Sequence, residues 1–359
     1  MNPTRRELLA GVGVGATGFA GCAAPSNSSP QQSNSGYSEI YNAVVDAVVA
    51  IEVSNGEQGT GQGSGFVIDG GAIVTNHHVI QGGSEITVQF SNREWTEATV
   101  LGSDPHSDLA VLAVDDSITV PDPLEFVDEP APVGEEVLAI GSPFDLSNSL
   151  SQGIVSGRNR SIPGPGSYLV PDTVQTDVAL NPGSSGGPIV DLDGLVVGVV
   201  VANQGQTVGF AISAELAKRV VPELRDNGRY EHSHLGITMV AVDPEIATAN
   251  SLSEPGGVLI VEVLPGGPSD GVLQPSVETT DSPQESETDQ DNEDTPDDES
   301  LPTGGDVIIE LNGTPIPDTD ALSRTLALET SPGETVPVTV IRDDEEVTVD
   351  VTLGSRPTE

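Results

Sequence analysis

Between residues 44 and 212, apolar side chains arrive in short runs closed by Gly, Pro, Asn or Asp: Val48 to Val53, Gly65 to Ile68, Ala72 to Thr75, Ile86 to Phe90, Leu109 to Val114, Val137 to Ile140, Leu195 to Ala202 and Val208 to Ile212. Runs of this length between turn formers are the pattern of strands in a β-barrel or sandwich. The 41 Gly and 28 Pro among 359 residues exclude long helical bundles, because both residues break helices. With aromatics at 3%, the core must be built from Val, Ile, Leu and Ala. After Ile212 the pattern changes. Ser213 can cap a helix in which Leu216, Val220 and Leu224 recur every four residues and Gly228 is the stop. Pro222 is expected to bend or shorten it. The helix marks a boundary, which places a mostly β domain at 39–228 and a second module at 230–355.

Twelve basic residues face 56 acidic ones, a net charge of −44, and Lys218 is the sole lysine. Nucleic acid is excluded as a partner, since binding it needs a basic footprint. In dilute buffer such a charge strains a compact fold, whereas at about 1 M salt the Debye length falls to roughly 3 Å. The composition therefore reads as salt-adapted, that of a halophile. Disorder of the whole chain is excluded by runs such as Leu195 to Ala202, which demand burial. A lone cysteine, Cys22, excludes an intramolecular disulfide and cysteine-based metal clusters.

Residues 1–22 combine Arg5-Arg6, an apolar stretch to Ala20 and Phe19-Ala20-Gly21-Cys22. The stretch is too short for the roughly 20 residues of a membrane span. It resembles a twin-arginine export signal ending in a lipobox, which implies cleavage before Cys22, a lipid on its sulfur, and tethering to the outer face of the cytoplasmic membrane. Residues 23–38 are a polar tether without the apolar surface needed to order itself. Glu278 to Glu299 holds 11 acidic residues and no basic one. It lies in an insertion at about 274–303, lacks the Asp-x-Asp-x-Asp-Gly spacing of a calcium loop, and reads as a solvated, salt-adapted segment.

Three segments carry chemistry: Val74-Thr75-Asn76-His77-His78-Val79, Asp104-Pro105-His106-Ser107-Asp108-Leu109-Ala110 and Asn181-Pro182-Gly183-Ser184-Ser185-Gly186-Gly187-Pro188. A serine hydroxyl needs an imidazole to take its proton and a carboxylate to fix that imidazole, and the segments supply all three in the order His, Asp, Ser. Gly183 to Gly187 also satisfies the Gly-x-Ser-x-Gly elbow of α/β-hydrolases. That elbow needs a helix after the serine, and Pro188-Ile189-Val190 followed by Asp193-Gly194 predicts a hairpin. A metal hydrolase on His77, His78 and His106 lacks any zinc-ligand spacing, and no cofactor signature is present. Asp104 reads as a turn residue before Pro105, and His106 as a surface residue.

Taken together, these motifs resemble the HtrA (Deg) family of serine proteases. Gly63-Ser64-Gly65-Phe66-Val67-Ile68, Thr75-Asn76-His77-His78-Val79, Asp108-Leu109-Ala110-Val111-Leu112 and the Asn181 to Pro188 segment match it in order. The resemblance implies a chymotrypsin-like double β-barrel followed by a PDZ domain. It makes Ser185 the nucleophile, His78 the general base and Asp108 the orienting acid. His78 is preferred over His77 by the motif, and because adjacent side chains of an extended segment point opposite ways. The oxyanion donors become the amides of Gly183, Ser184 and Ser185, aimed by a tight turn that Gly183 permits. A primary pocket lined by Val200, Val201 and Ala202 implies cleavage after aliphatic residues. His234-Leu235-Gly236-Ile237 resembles a PDZ carboxylate loop, in which Leu235, Gly236 and Ile237 hold a peptide C-terminus. Unfolded polypeptides as substrates and a homotrimer are further implications. A chaperone or PDZ adaptor with a resting protease domain is the competing reading.

Overall fold

The alternation expected of a half-buried strand is plain in β1 (Val48–Ser54), where Val49, Ile51 and Val53 are buried and Ala50, Glu52 and Ser54 are half-buried. The computed structural model describes residues 35–54, 60–142, 149–164, 169–201, 208–278 and 301–357. Cys22, the signal, most of the tether, Ala202 and the acidic segment 279–300 lie outside the described residues. A short helix, α1 (Ser35–Val44), leads into β1.

The first barrel comprises β1, β2 (Thr60–Val67), β3 (Ile73–Thr75), β4 (Glu85–Gln89), β5 (Trp95–Asp104) and β6 (Leu109–Val114), closed in the order β1-β2-β3-β6-β5-β4. A one-turn helix, α2 (His77–Ile80), follows β3. The second barrel comprises β7 (Glu136–Gly141), β8 (Ser149–Pro163), β9 (Leu169–Thr176), β10 (Pro188–Val190), β11 (Val196–Val201) and β12 (Gly209–Ser213), closed in the order β10-β11-β12-β9-β8-β7. The fold is mostly β, with two closed six-stranded barrels of chymotrypsin-like kind. Phe66, Ile73, Leu112, Leu138 and Ile140 belong to one apolar cluster that joins the barrels, with Leu216, Val220 and Leu224 of the following helix.

That helix, α3 (Ala214–Asn227), begins where Ser213 accepts a bond from the Leu216 amide and ends at Gly228 in the left-handed region, φ 78°. Pro222 does not shorten it. Its apolar stripe of Leu216, Ala217, Val220, Val221 and Leu224 is buried, and that packing outweighs one missing backbone hydrogen bond.

The second module contains β13 (Ser233–His234), β14 (Ile237–Ala241), α4 (Pro244–Ala249), β15 (Val258–Val263), β16 (Val277–Glu278), β17 (Pro302–Thr303), β18 (Val307–Leu311), β19 (Thr314–Pro315), α5 (Thr319–Glu329), β20 (Thr335–Arg342), β21 (Glu345–Thr352) and β22 (Gly354–Ser355). Its main sheet runs β14-β15-β18-β20-β21, which leaves one side of β14 as an edge. Its own core includes Val258, Ile260, Ile308, Leu322, Val338 and Val340. The insertion leaves through β16 and returns through β17, which pair with each other and close its base. No described helix is long and apolar enough to cross a membrane.

Candidate functional site

Asp104 ends β5 and shapes the turn that follows. Its carboxylate accepts bonds from the amides of His106 (3.3 Å) and Ser107 (2.9 Å) and from the Ser107 hydroxyl. The turn delivers Asp108 at φ 53°, a conformation that L-residues adopt rarely. The Asp108 carbonyl is held there by the Asn76 side-chain amide at 3.0 Å and the His77 amide at 3.1 Å. The Asp108 carboxylate, 1% exposed, grips His78 twice: Oδ1 accepts from the His78 backbone amide (2.9 Å) and Oδ2 meets Nδ1 (2.7 Å). A proton on Nδ1 directed at this carboxylate leaves Nε2 as an acceptor.

His77 and His78 share the helical turn α2, so the extended-segment argument for choosing between them does not hold. Their partners separate them instead. His77 Nδ1 lies 3.3 Å from Ser103 Oγ, and its pKa is lowered by burial against the opposing charges of Asp108 and Asp104.

The serine loop is pinned to the first barrel. Ser64 of β2 donates its hydroxyl to the Gly183 carbonyl (2.7 Å), accepts from the Ser142 amide (2.9 Å), and donates its own amide to the Ser185 carbonyl (2.7 Å). Gly186, at φ 83°, sits where a Cβ would collide with the Ser64 carbonyl and Thr75 Oγ1 and lie 3.2 Å from the Asn76 amide. Ser185 is thereby laid against the segment that carries His78. Gly183, at φ 93°, occupies the turn position that needs glycine. The Ser184 amide donates to the Asn181 carbonyl (3.0 Å) and closes the turn, which engages one of the three amides expected to receive an oxyanion. Beyond the loop, β10 and β11 form an antiparallel hairpin, which rules out the strand-to-helix elbow.

Of the expected pocket residues, Val200 is fully buried in the second-barrel core, and its backbone is bonded to Gly186 and Gly187. Val201 is half-buried. Ala202 lies outside the described residues. In the second module Leu235 is buried, and Gly236 is at φ 71° with its carbonyl accepting from the Leu264 amide. A groove of about 480 Å³ opens between Ile237 and Met239 of β14 and Leu322 and Leu326 of α5. Leu169 and Pro171 of the second barrel also line it, as do His234 and Arg356. Burial, with the nearby charge of Arg356, lowers the pKa of His234.

His106 is corrected from surface to interior, at 1% exposed. Its ring packs against that of His232, centroids 5.3 Å apart and planes tilted by 48°, and His232 Nε2 lies 2.7 Å from Asp104 Oδ2. This contact, and the hydroxyl of Ser64, were invisible to motif reading because the partners lie 128 and 119 residues away.

Two barrels meeting at a serine loop, with an edge-strand groove module behind them, define a trypsin-like peptidase joined to a PDZ domain. Family comparison agrees: the trypsin-like peptidase domain matches residues 63–199 and the PDZ domain residues 233–353. The chain belongs to the HtrA/DegP family. A probable periplasmic serine endoprotease, DegP-like, of Ectopseudomonas mendocina is 38% identical over 83% of this chain, and a namesake from Halomonas elongata 35% over 82%. The chain spans 57% and 56% of those relatives' lengths. Among solved structures, the HtrA-type protease AlgW with a tripeptide superposes at a TM-score of 0.70, with 28% identity, 90% of this chain and 98% of that one covered. The serine endoprotease from Yersinia pestis gives 0.63, with 27% identity and coverages of 89% and 98%.

Proposed function

We propose that this chain is an exported serine endopeptidase that hydrolyses misfolded or damaged proteins. The observation that carries the reading is the double grip of Asp108 on His78, at 2.7 Å and 2.9 Å, beside the loop that holds Ser185. Ser185 Oγ attacks the scissile carbonyl as His78 Nε2 takes its proton, and the amides of Gly183 and Ser185 receive the oxyanion. Asp108 stabilises the imidazolium and keeps its orientation. His78 then protonates the leaving amine, and water releases the acyl group. Val201 and its apolar surroundings favour small or medium aliphatic side chains at the cleaved position.

The domain at 39–228 performs this chemistry, and the module at 230–355, interrupted at about 274–303, takes substrate C-termini by adding a strand along β14. A signal at residues 1–22 exports the chain, a lipid on Cys22 tethers it to the outer face of the cytoplasmic membrane, and three copies assemble in concentrated salt. The relatives' names, periplasmic serine endoprotease and HtrA-type protease, support catalysis and export.

The test is hydrolysis of unfolded casein at high salt by the wild type and Ser185→Ala. The variant is expected to lose at least about a thousandfold in kcat. Equal turnover by the two proteins refutes the assignment.

A further inference from the structure

We infer that His232, in the connection between the two domains, is a positioning residue for Asp108 that acts through Asp104 and ties the geometry of the triad to the seating of the PDZ domain. Asp104 and Asp108 bound a single turn. The three bonds that Asp104 accepts from His106 and Ser107 fix the backbone of that turn, and Asp108 leaves it in the costly left-handed region, which must be held from outside. The outward hold on Asp104 is His232, whose Nε2 lies 2.7 Å from Oδ2.

His232 is in turn fastened to the PDZ domain. Its carbonyl accepts from the Arg356 amide at 2.7 Å, next to the pairing of Ser233 with Ser355. The following hydroxyl, of Ser233, donates to the Leu326 carbonyl of α5 at 2.9 Å, and Leu326 lines the groove. A continuous series of bonds thus runs from the helix beside the groove to the acid that orients His78.

The ligand atoms of Asp104, His106 and His232 fall within 4.8 Å of one another, a spacing that also suits a metal ion. Asp104 Oδ2, however, already accepts from the Ser107 amide, the Ser107 hydroxyl and His232, so a cation would have to displace bonds that shape the turn. The geometry is that of a hydrogen-bonded junction.

Three variants of the full chain test the inference. His232→Phe keeps a ring against Tyr230 and His106 but removes the donor. His232→Asn carries an amide too short to reach Asp104, and His232→Gln carries one that reaches. The readouts are the downfield proton resonance of the bond between His78 Nδ1 and Asp108, assigned by its loss in Asp108→Asn, and the separate values of kcat and KM on a peptide substrate. H232F and H232N are expected to lose or shift the resonance and to lower kcat about tenfold with KM unchanged, and H232Q to restore both. Should H232F fail to fold, the contrast between H232N and H232Q carries the test. Lower melting temperatures with the resonance and kcat of the wild type in H232N would overturn the inference and leave His232 a structural residue. The kinetic arm rests on the protease reading, while the resonance needs only the bond between His78 and Asp108. A wild type that shows the resonance without hydrolysis refutes the protease reading alone, and the response of the resonance then decides the role of His232.

Discussion

A single buried hydroxyl, that of Ser64, joins the two barrels beside the loop proposed to receive the oxyanion. It orients the Gly183 carbonyl, and therefore the peptide that follows, while satisfying the Ser142 amide. Removing it leaves the buried Gly183 carbonyl short of a partner, at a cost of about 1–3 kcal/mol, deprives the half-buried Ser142 amide of its acceptor, and frees the serine loop to turn. Ser64→Ala is expected to slow labelling by a fluorophosphonate between about tenfold and a hundredfold, with KM for peptides within about twofold of the wild type, because a misaimed donor loses only part of the about 2.7–4 kcal/mol, a hundredfold to a thousandfold, that a whole oxyanion donor is worth. Unchanged labelling would show that the loop holds its shape without the bond. Asp104 gives a pH-dependent outcome. Burial alone would raise its pKa, but the bonds from His106, His232 and Ser107, together with the charge of His232, outweigh burial and hold the carboxyl well below the usual carboxylate range. A depressed folded-state pKa stabilises at pH above the unfolded value, near 3.9, and that stabilisation fades as pH falls below it. The gap in melting temperature between wild type and Asp104→Asn should therefore narrow as pH falls below about 4; a gap that widens in acid contradicts the assignment. His78, Asp108 and Ser185 were singled out in the sequence because each sits in a contiguous motif, and the structure joins the first two, His78 Nδ1 to Asp108 at 2.7 Å. Ser64 lay within a quoted motif, yet nothing local showed what its hydroxyl bonds, and His106 looked like a surface residue because its neighbour His232 comes from the other domain.

At the scale of elements, legibility followed the length of the apolar run. β1, β6, β7 and β11 are apolar runs and were read as strands, whereas β8 exposes Gln152, Ser156, Asn159 and Arg160 along its 15 residues and shows no such run. β10 is only three residues long, and β5 carries Thr, Glu, Gly and Ser among its apolar residues. The caps of α3 were readable, since Ser213 and Gly228 act locally, but the same Ser213 hydroxyl also donates to Asp172, which tertiary structure alone reveals. Asp172 is one anchor of α5: Arg324 Nε reaches it at 3.1 Å and Arg324 Nη2 reaches Glu215 at 3.3 Å. At the other end of α5, Arg219 of α3 donates to the carbonyls of Leu328 and Thr330. Ala327 joins the protease-domain cluster, while the PDZ domain keeps a separate core. Two cores joined by two arginine clamps should melt together only while the clamps hold. The double variant Arg219→Ala and Arg324→Ala is expected to split one calorimetric transition into two, the PDZ transition moving down by roughly 5 °C. A single, unshifted transition would show that the remaining contacts, apolar packing and the bond from His232 to Asp104 among them, couple the domains without the clamps.

For the whole molecule, the decisive quantity is the charge of −44 set against how its few cations are placed. Arg342 makes a two-pronged contact, 2.7 Å on each arm, with fully buried Asp306, and Arg324 reaches Asp172, 2% exposed. Cations used inside in this way cannot also neutralise the exterior, so the surface carboxylates repel one another over distances that only solution ions can screen. Screening has a recognisable form. The Debye length shrinks from about 10 Å at 0.1 M to about 3 Å at 1 M and changes little beyond. The melting temperature should therefore climb steeply, by roughly 10 °C, up to about 1 M and then level off, with NaCl and KCl equivalent at equal ionic strength. Exclusion of salt from the protein surface has a different form, a rise that continues to several molar and is much larger for sulfate than for chloride. Circular dichroism melts across both titrations separate the two causes. A curve that tracks the identity of the anion, or a fold indifferent to salt, would mean that the acidic surface is tolerated rather than screened, and that the reading of this chain as salt-adapted is wrong.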